Sequence, residues 1–248
     1  MALYWKFDPL GTAGGGKSPY FELKVATTAD SLTWGFTPHI PAGGTLTVDW
    51  GDGTTNAYTG SSSTRRDHTY AAAGEYRVRL IGDATRVVFG GDASPMITYA
   101  GMVTWCNFNW GALNGLNNLQ TMFYRCLNLG GICTSLPDDA VSLQSAFNNC
   151  QKLVIRIDRL PSKLSWAGGM ANAFQSCYLA EINLDELAAN APAGGWTGPT
   201  VLSWAFYRCG MNNNPGTCTG SQSAFLAKFP NVNTATTANT FTDTNTTA

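Results

Sequence analysis

Lys17 and Ser18 end the stretch GTAGGGKS (residues 11–18), which has the G-x-x-x-x-G-K-S spacing of phosphate-binding loops. Such a loop needs a following helix, whose N-terminal N–H groups bind the phosphates. Here Pro19 follows at once, and apolar and charged residues then alternate through FELKV, which is the period of a strand. We therefore predict a flexible glycine-rich arm and keep a nucleotide-binding enzyme only as a remote alternative.

A second set of residues could take part in chemistry. It consists of two carboxylates, Asp49 and Asp52, and His68, one of the chain's two histidines. Together they could bind a metal or exchange protons. Asp52 precedes Gly53 in a turn signal, however, and a carboxylate at such a place commonly hydrogen-bonds the nearby backbone. We favour this turn interpretation, with His68 hydrogen-bonded to the loop that carries it. We predict no catalytic residue, cofactor or metal site.

Seven cysteines are present, and no two form a C-x-x-C pair of the kind found in zinc and redox sites. The sequence shows no secretory signal peptide, so reduced thiols are the default. Four cysteines hold the same place in a repeated motif, and no histidine lies nearby to generate a thiolate. This regularity favours a buried ladder of small apolar side chains over a nucleophile. The four are Cys126, Cys150, Cys177 and Cys209.

The composition restricts the classes of partner. The chain has 248 residues, of which 12% are charged, and its formal net charge is −1. The charged fraction is about half the usual share. With a net charge near zero, the sequence shows no basic patch of the kind that binds nucleic acid. No apolar run is long enough to span a membrane. We expect neither nucleic acid nor a membrane span.

Period-two patterns dominate residues 21–89. In TLTVDW, Leu46, Val48 and Trp50 share one face, and polar residues share the other. The stretches LTWGF and EYRVRLI alternate in the same way, and glycine-containing turns separate the three. This pattern indicates antiparallel strands with one solvated face.

Two segments, VDWGDGTTNAY and DHTYAAAGEYRVRL, resemble the polycystic-kidney-disease (PKD) domain, a small immunoglobulin-like β-sandwich of surface proteins. The resemblance implies a spacer or binding module. The matching positions are Asp49, Trp50, Gly51, Asp52, Gly53, Thr54, His68, Thr69, Tyr70, Gly74, Tyr76 and Val78.

A motif recurs in the second part of the chain. Its copies are LQTMFYRC (119–126), LQSAFNNC (143–150), MANAFQSC (170–177), LSWAFYRC (202–209) and a worn copy, TANTFTDT (237–244). Apolar residues at the first, fourth, fifth and eighth places predict one face of a short helix. Extended stretches such as LVIRID predict a short strand after the helix. One such unit cannot bury its apolar face alone, so we expect the units to stack and to share their phenylalanines.

The stretches MFYRCLNL and SLPDD resemble the BspA-type leucine-rich repeat of bacterial surface proteins. The resemblance implies a helix-and-strand solenoid with roles in adhesion and recognition. A PKD-like module followed by such repeats also resembles proteins encoded by bacteriophages. The last copy departs from the pattern, because threonine replaces its apolar and cysteine positions, and it resembles a polar end cap.

We therefore predict a two-domain protein, an all-β immunoglobulin-like sandwich followed by a short α/β leucine-rich-repeat solenoid. Residues 1–18 form an N-terminal arm and glycine linker, 19–95 the sandwich, and 96–248 the solenoid with its polar C-terminal cap. The arm begins with LYWKF, which is either an anchor that docks into a partner or the first strand of the sandwich. The candidate anchor residues are Leu3, Tyr4, Trp5 and Phe7.

The two residues after each repeated phenylalanine are polar or amphipathic, and we expect them to form an exposed row. Tyrosine and arginine are enriched where protein surfaces bind. The candidate ligand contacts are therefore Tyr124, Arg125, Tyr207 and Arg208. The alternative is that these side chains only cover the solvent-facing surface.

These features favour a non-enzymatic structural and binding protein. The preferred placement is a bacteriophage virion, assembled in the host cytoplasm, as a capsid decoration, head-fibre or tail-associated protein. Other virion proteins would bind the arm, and the repeats would meet a host-surface protein or glycan. The alternative is an adhesin on a bacterial cell surface. The lack of a signal peptide favours the virion.

Overall fold

The structure is a computed structural model. It describes residues 18–60, 63–91, 94–165, 169–196, 202–210, 217–230 and 241. Most of the predicted N-terminal arm lies outside the described residues, including the candidate anchors Leu3, Tyr4, Trp5 and Phe7 and the motif residue Lys17. The described chain is mostly β-sheet with several antiparallel pairings.

Seven strands lie in the first third of the chain. They are β1 (Phe21–Thr27), β2 (Thr33–His39), β3 (Thr45–Asp49), β4 (Thr55–Thr59), β5 (Arg66–Thr69), β6 (Gly74–Asp83) and β7 (Arg86–Val88). A large antiparallel sheet contains β4, β3, β6 and β1 in that order, and a small sheet has the order β5-β2-β7. Trp34 of β2 meets Trp50, next to β3, with ring centroids 6.2 Å apart, so the two sheets face each other across a core.

The predicted alternation in these strands is confirmed. Leu46, Val48 and Trp50 are fully buried, and so are Trp34 and Phe36 on the facing strand. The polar positions between them are half-buried or exposed. Apolar burial on one face of β2, β3 and β6 thus helps to fix the register of the two sheets.

Elements beyond residue 95 extend the large sheet. Helix α1 (Met96–Met102) leads into β8 (Val103–Cys106), which pairs antiparallel with β1. After a 3-10 turn, β9 (Leu113–Asn114) pairs parallel with β6. The domain boundary between residues 95 and 96 stays a prediction, but the hydrogen-bonded sheet runs across it, and buried side chains on both sides form one cluster.

The four repeat segments are series of turns, so the prediction that each forms a short helix was wrong. In the first segment the Met122 N–H donates to the Leu119 carbonyl, and the Cys126 N–H donates to the Phe123 carbonyl. Bonds of this three-residue span close single turns, whereas an α-helix needs a continuous series of four-residue spans. The first, fourth, fifth and eighth residues of all four segments are nonetheless fully buried, as their spacing predicted.

Left-handed backbone occurs at two places in each of the four segments, and in the first three it directs N–H groups to the next segment. The third and seventh residues have positive φ in all four segments, for example 56° at Thr121 and 61° at Arg125. Their N–H groups donate to the carbonyls of Gln144 and Asn148, with N···O distances of 2.9 and 2.8 Å. The same pattern joins the second segment to the third and the third to the fourth. These N–H groups are therefore satisfied only when the segments stack.

One phenylalanine from each segment joins a column of rings that begins in the sheets. We call this the aromatic column, and its members are Phe89, Phe123, Phe147, Phe174, Phe206 and Phe241. Neighbouring ring centroids lie 5.3 to 5.8 Å apart. The column confirms that Phe147 and Phe174 are core residues shared between neighbouring segments. Phe241, the one described residue of the worn copy, continues it.

The first segment has no preceding segment to donate to its carbonyls, and the sheet region takes that role. Arg86 Nε donates to the Gln120 carbonyl at 3.0 Å, and the Phe89 N–H donates to the Met122 carbonyl at 2.7 Å. Gly90 packs directly on this segment, since a Cβ atom there would collide with the carbonyl oxygen of Tyr124. These contacts fix the segments to the sheets.

Short strands and two helices complete the fold. The strands form two parallel pairs, β10 with β11 and β12 with β13. This confirms the predicted short strands after the early repeats. The elements are β10 (Ile132–Cys133), β11 (Val154–Ile155), β12 (Glu181–Asn183), α2 (Leu184–Ala189), β13 (Thr217–Thr219) and α3 (Gln222–Leu226).

Candidate binding groove

A polar groove of about 460 Å³ crosses the first three repeat segments. Small-ligand sites commonly enclose about 300–1,000 Å³. Two rows of side chains line it, one from the third and one from the sixth residue of each segment, and Gly90 and Gly91 complete the lining. The rows are Thr121, Ser145 and Asn172, and Tyr124, Asn148 and Gln175.

In-register stacking brings these rows together, because it places equivalent residues of successive segments side by side. The rows also continue beyond the groove. In the fourth segment the third and sixth residues are Trp204 and Tyr207, whose half-buried rings meet edge to face with centroids 4.6 Å apart. A polar groove therefore leads toward an aromatic pair.

Amide side chains join neighbouring segments. Asn148 Nδ2 donates to Gln175 Oε1 at 2.8 Å, and Asn149 Nδ2 donates to Asn148 Oδ1 at 2.6 Å. A second amide pair, in which Gln120 Nε2 donates to Gln144 Oε1 at 2.8 Å, does not line the groove. The first pair holds one wall of the groove in a defined orientation.

The described side chains that line the groove include no charged group. Arg86 contacts the lining from behind, and its Nη2 donates to Thr121 Oγ1 at 2.8 Å. Burial lowers the pKa of Arg86, but an arginine remains protonated at neutral pH. A molecule in the groove would thus meet hydroxyl, amide and phenol groups.

The four predicted ligand contacts fall into two sets. Tyr124 lines the groove, and Tyr207 lies in the same row, one segment beyond the last lining residue, Gln175. Arg125 and Arg208 are seventh residues of their segments and do not line the groove, and the Arg208 guanidinium lies 5.0 Å from the Tyr207 ring centroid. The pairs after each phenylalanine do not form a uniformly exposed row, since Arg208 is exposed but Asn148 is buried.

The sequence reasoning missed the third-residue row. A signal for it is visible in hindsight, because Thr121, Ser145 and Asn172 are small polar residues at one place in three repeats. Asparagine also tolerates the left-handed backbone found there. What the periodicity could not show is that this row and the sixth-residue row face one another.

Comparison with known proteins gives no family assignment. No family model, curated protein or solved structure matches the chain.

Within the described residues, no helix is long and apolar enough to cross a membrane. The same residues contain no group of three or more His, Cys, Asp or Glu side chains that could hold a metal ion.

The Asp52–His68 pair links the turn between β3 and β4 to strand β5. Asp52 Oδ1 accepts hydrogen bonds from the Thr54 N–H at 3.0 Å and the Thr54 hydroxyl at 2.6 Å, and Oδ2 lies 2.7 Å from His68 Nε2. Burial acts to raise the pKa of Asp52, but these hydrogen bonds outweigh it and hold the pKa at about 2. Gly53 has the expected positive φ of 90°, which confirms the turn interpretation. The predicted partner of His68 was wrong, because the ring bonds Asp52 and not its own loop.

The segment after Ser18 is strand β1, as its alternation predicted, and not the helix that a phosphate-binding loop requires. The Ser18 hydroxyl donates to Glu22 Oε1 at 3.0 Å, and the Ser18 carbonyl accepts from Asn109 Nδ2 at 2.6 Å. Ser18 thus joins the arm to the large sheet. The glycines before it lie outside the described residues.

All seven cysteines are buried and free of disulfides. Cys150 Sγ donates to the Phe123 carbonyl at 3.1 Å, and Cys177 Sγ donates to the Phe147 carbonyl at 3.0 Å. Burial raises the pKa of both thiols, so they stay protonated at neutral pH. The structure confirms the predicted buried ladder.

Proposed function

We propose that this chain is a non-enzymatic structural and binding protein of a bacteriophage particle, a capsid decoration, head-fibre or tail-associated protein. In this proposal a PKD-like, immunoglobulin-like sandwich carries a leucine-rich-repeat solenoid of the BspA type. The observation that carries it is the aromatic column, which makes one continuous body of the sheets and the repeats.

The aromatic column runs from the sheets at one end to the last repeat copy at the other. Phe21, at the start of β1, stacks on Phe89 with centroids 5.9 Å apart, and the column then runs through the repeats to Phe241. The N-terminal arm joins the chain at Ser18, next to the first of these rings. An arm at one end and repeats toward the other suit a protein that attaches through its arm and presents its repeats.

The junction of the arm is well anchored. Asn107 Nδ2 donates to the Tyr20 carbonyl at 2.9 Å, and Asn109 Nδ2 donates to the Ser18 carbonyl at 2.6 Å. These hydrogen bonds tie the start of the described chain to the loop that follows β8. The aromatic residues of the arm would supply the apolar surface that a partner buries.

The buried thiols and the Asp52–His68 turn support a binding role over catalysis. Each of these reactive side chains is engaged in packing or in a hydrogen bond that stabilises the fold. The groove is lined by amides and hydroxyls, which suit recognition of a polar partner.

Deletion of residues 1–17 in the virus-producing culture tests the proposal. The truncated protein should still fold, shown by circular dichroism, but should no longer sediment with purified particles. The matched control is full-length Lys17→Ala, which keeps the aromatic residues and should stay on the particle. Retention of the truncated protein would contradict attachment through the arm. Absence of the full-length protein from particles would contradict the virion placement and leave the cell-surface adhesin.

A further inference from the structure

We propose that the groove across the first three repeat segments binds a neutral, hydroxyl-rich oligosaccharide. The proposal rests on the proposed binding function and names the ligand class of its repeat surface. It is supported by the two rows of side chains that line the groove, from the third and the sixth residue of each segment, and by the hydrogen-bonding groups in these rows that have no partner within the described part of the chain.

Several polar groups in the groove are available to a ligand. The Ser145 hydroxyl and the Asn172 amide have no hydrogen-bond partner among the described residues. Gln175 Oε1 accepts from Asn148 Nδ2, which leaves the Gln175 NH₂ group to donate outward. Hydroxyls and amides both donate and accept, as sugar hydroxyls do, so each can form a complementary bond with a sugar.

The charge of the lining favours a neutral ligand. A phosphate, sulfate or carboxylate group is usually held by Arg or Lys in direct contact, and the described lining supplies neither. Arg86 lies behind the lining, and two of its N–H groups are already donated to Gln120 and Thr121. An apolar ligand would bury unpaired amides and hydroxyls, which costs free energy.

The placement of aromatic rings along the stack favours an elongated ligand with alternating polar edges and apolar faces. Tyr124 lies at the first segment, and the edge-to-face rings of Trp204 and Tyr207 lie at the fourth. Aromatic rings offer a flat apolar surface with a polar edge. The C–H face of a sugar ring can pack on such a surface while its hydroxyls bond the amides between.

The experiment is isothermal titration of the purified full-length protein with maltohexaose, cellohexaose and chitohexaose. A heparin-derived hexasaccharide and a Ser/Thr-rich peptide serve as charged and peptide comparisons. We expect at least one neutral sugar to bind. Gln175→Ala should weaken that binding about tenfold, because it removes one ligand hydrogen bond and loosens Asn148. Asn172→Gly should also weaken it, and glycine keeps the left-handed backbone.

Gln144→Ala is the matched control. It also removes a half-buried glutamine from an inter-segment amide pair, but outside the groove. It should leave the affinity unchanged. Failure of all three neutral sugars to bind, equal losses in the two glutamine variants, or preference for the charged sugar or the peptide would each overturn the proposal. None of these outcomes affects attachment to the particle, so the two proposals fail separately.

Discussion

The Sγ atom of Cys177 lies 3.0 Å from the carbonyl oxygen of Phe147, which belongs to the preceding repeat segment. The thiol therefore joins two segments by a hydrogen bond as well as by packing. Cys126 occupies the same place in the first segment and is equally buried, but its thiol has no such partner among the described residues.

This difference predicts unequal effects of one substitution. Cys177→Val should lower the free energy of unfolding by about 1 kcal/mol more than Cys126→Val, because only the first loses a buried hydrogen bond. Urea denaturation of the two variants measures the difference. Equal losses would show that the thiol acts by volume alone.

The buried thiols also predict a loss of stability at alkaline pH. Burial raises the pKa of Cys133 from its usual 9.0 to about 12, and it raises the pKa of Cys126 as well. The folded state then binds more protons than the unfolded state above pH 9, so the stabilising contribution is complete below pH 9 and falls as pH rises toward about 12. Urea midpoints between pH 7 and 10.5 should decline. The urea midpoint of Cys133→Ala should decline less steeply with pH than that of the wild type. An identical slope would contradict the attribution of the decline to the buried Cys133 thiol.

Phe174→Ala should lower the free energy of unfolding by roughly 3–5 kcal/mol, because it opens a cavity in the aromatic column. Phe174→Leu should cost less. Hydrogen exchange should show the loss of protection first in the neighbouring segments around Phe147 and Phe206, whose N–H groups depend on stacking. Retained protection of the large sheet is expected. Simultaneous loss in β1 and β6 would mean that the sheets and segments unfold as one unit.

Asp52→Asn should change the response to acid. The depressed pKa of Asp52, about 2, means that the folded state favours the carboxylate. Its contribution is present above the unfolded value near 3.8 and is lost as pH falls toward 2. The variant should therefore show a flatter decline of thermal midpoint between pH 4 and about 2. Asp30→Asn, at an exposed turn, is the control and should keep the wild-type slope.

Gly90→Ala should destabilise the junction of the sheets and the first segment, because the added Cβ collides with the carbonyl of Tyr124. We expect a loss of about 1–3 kcal/mol, as for other overpacked sites. Gly101→Ala, in α1 with no atom near the added Cβ, should be neutral or stabilise by about 0.4–1 kcal/mol. Thermal denaturation compares the pair, and equal effects would contradict the close packing at Gly90.

The sequence by itself determined which side chains are buried. The alternation of Leu46, Val48 and Trp50 identified one face of a strand, and the recurrence of phenylalanine and cysteine identified the interior of the repeats. Both inferences depend on hydrophobic spacing alone, which is a local property of the chain. The turn at Asp52 could also be predicted because it is local in sequence: its hydrogen bonds join Asp52 to Thr54, two residues away.

Only the tertiary structure decided how the repeats satisfy their backbone. Spacing at the first, fourth, fifth and eighth places fits one face of a helix, but it fits a series of turns equally well. The choice depends on the N–H groups of residues such as Thr121, whose acceptor Gln144 lies in the next segment. The groove follows from the same stacking, because Thr121, Ser145 and Asn172 become neighbours only when segments pack in register. A partner more than twenty residues away leaves no trace in local periodicity.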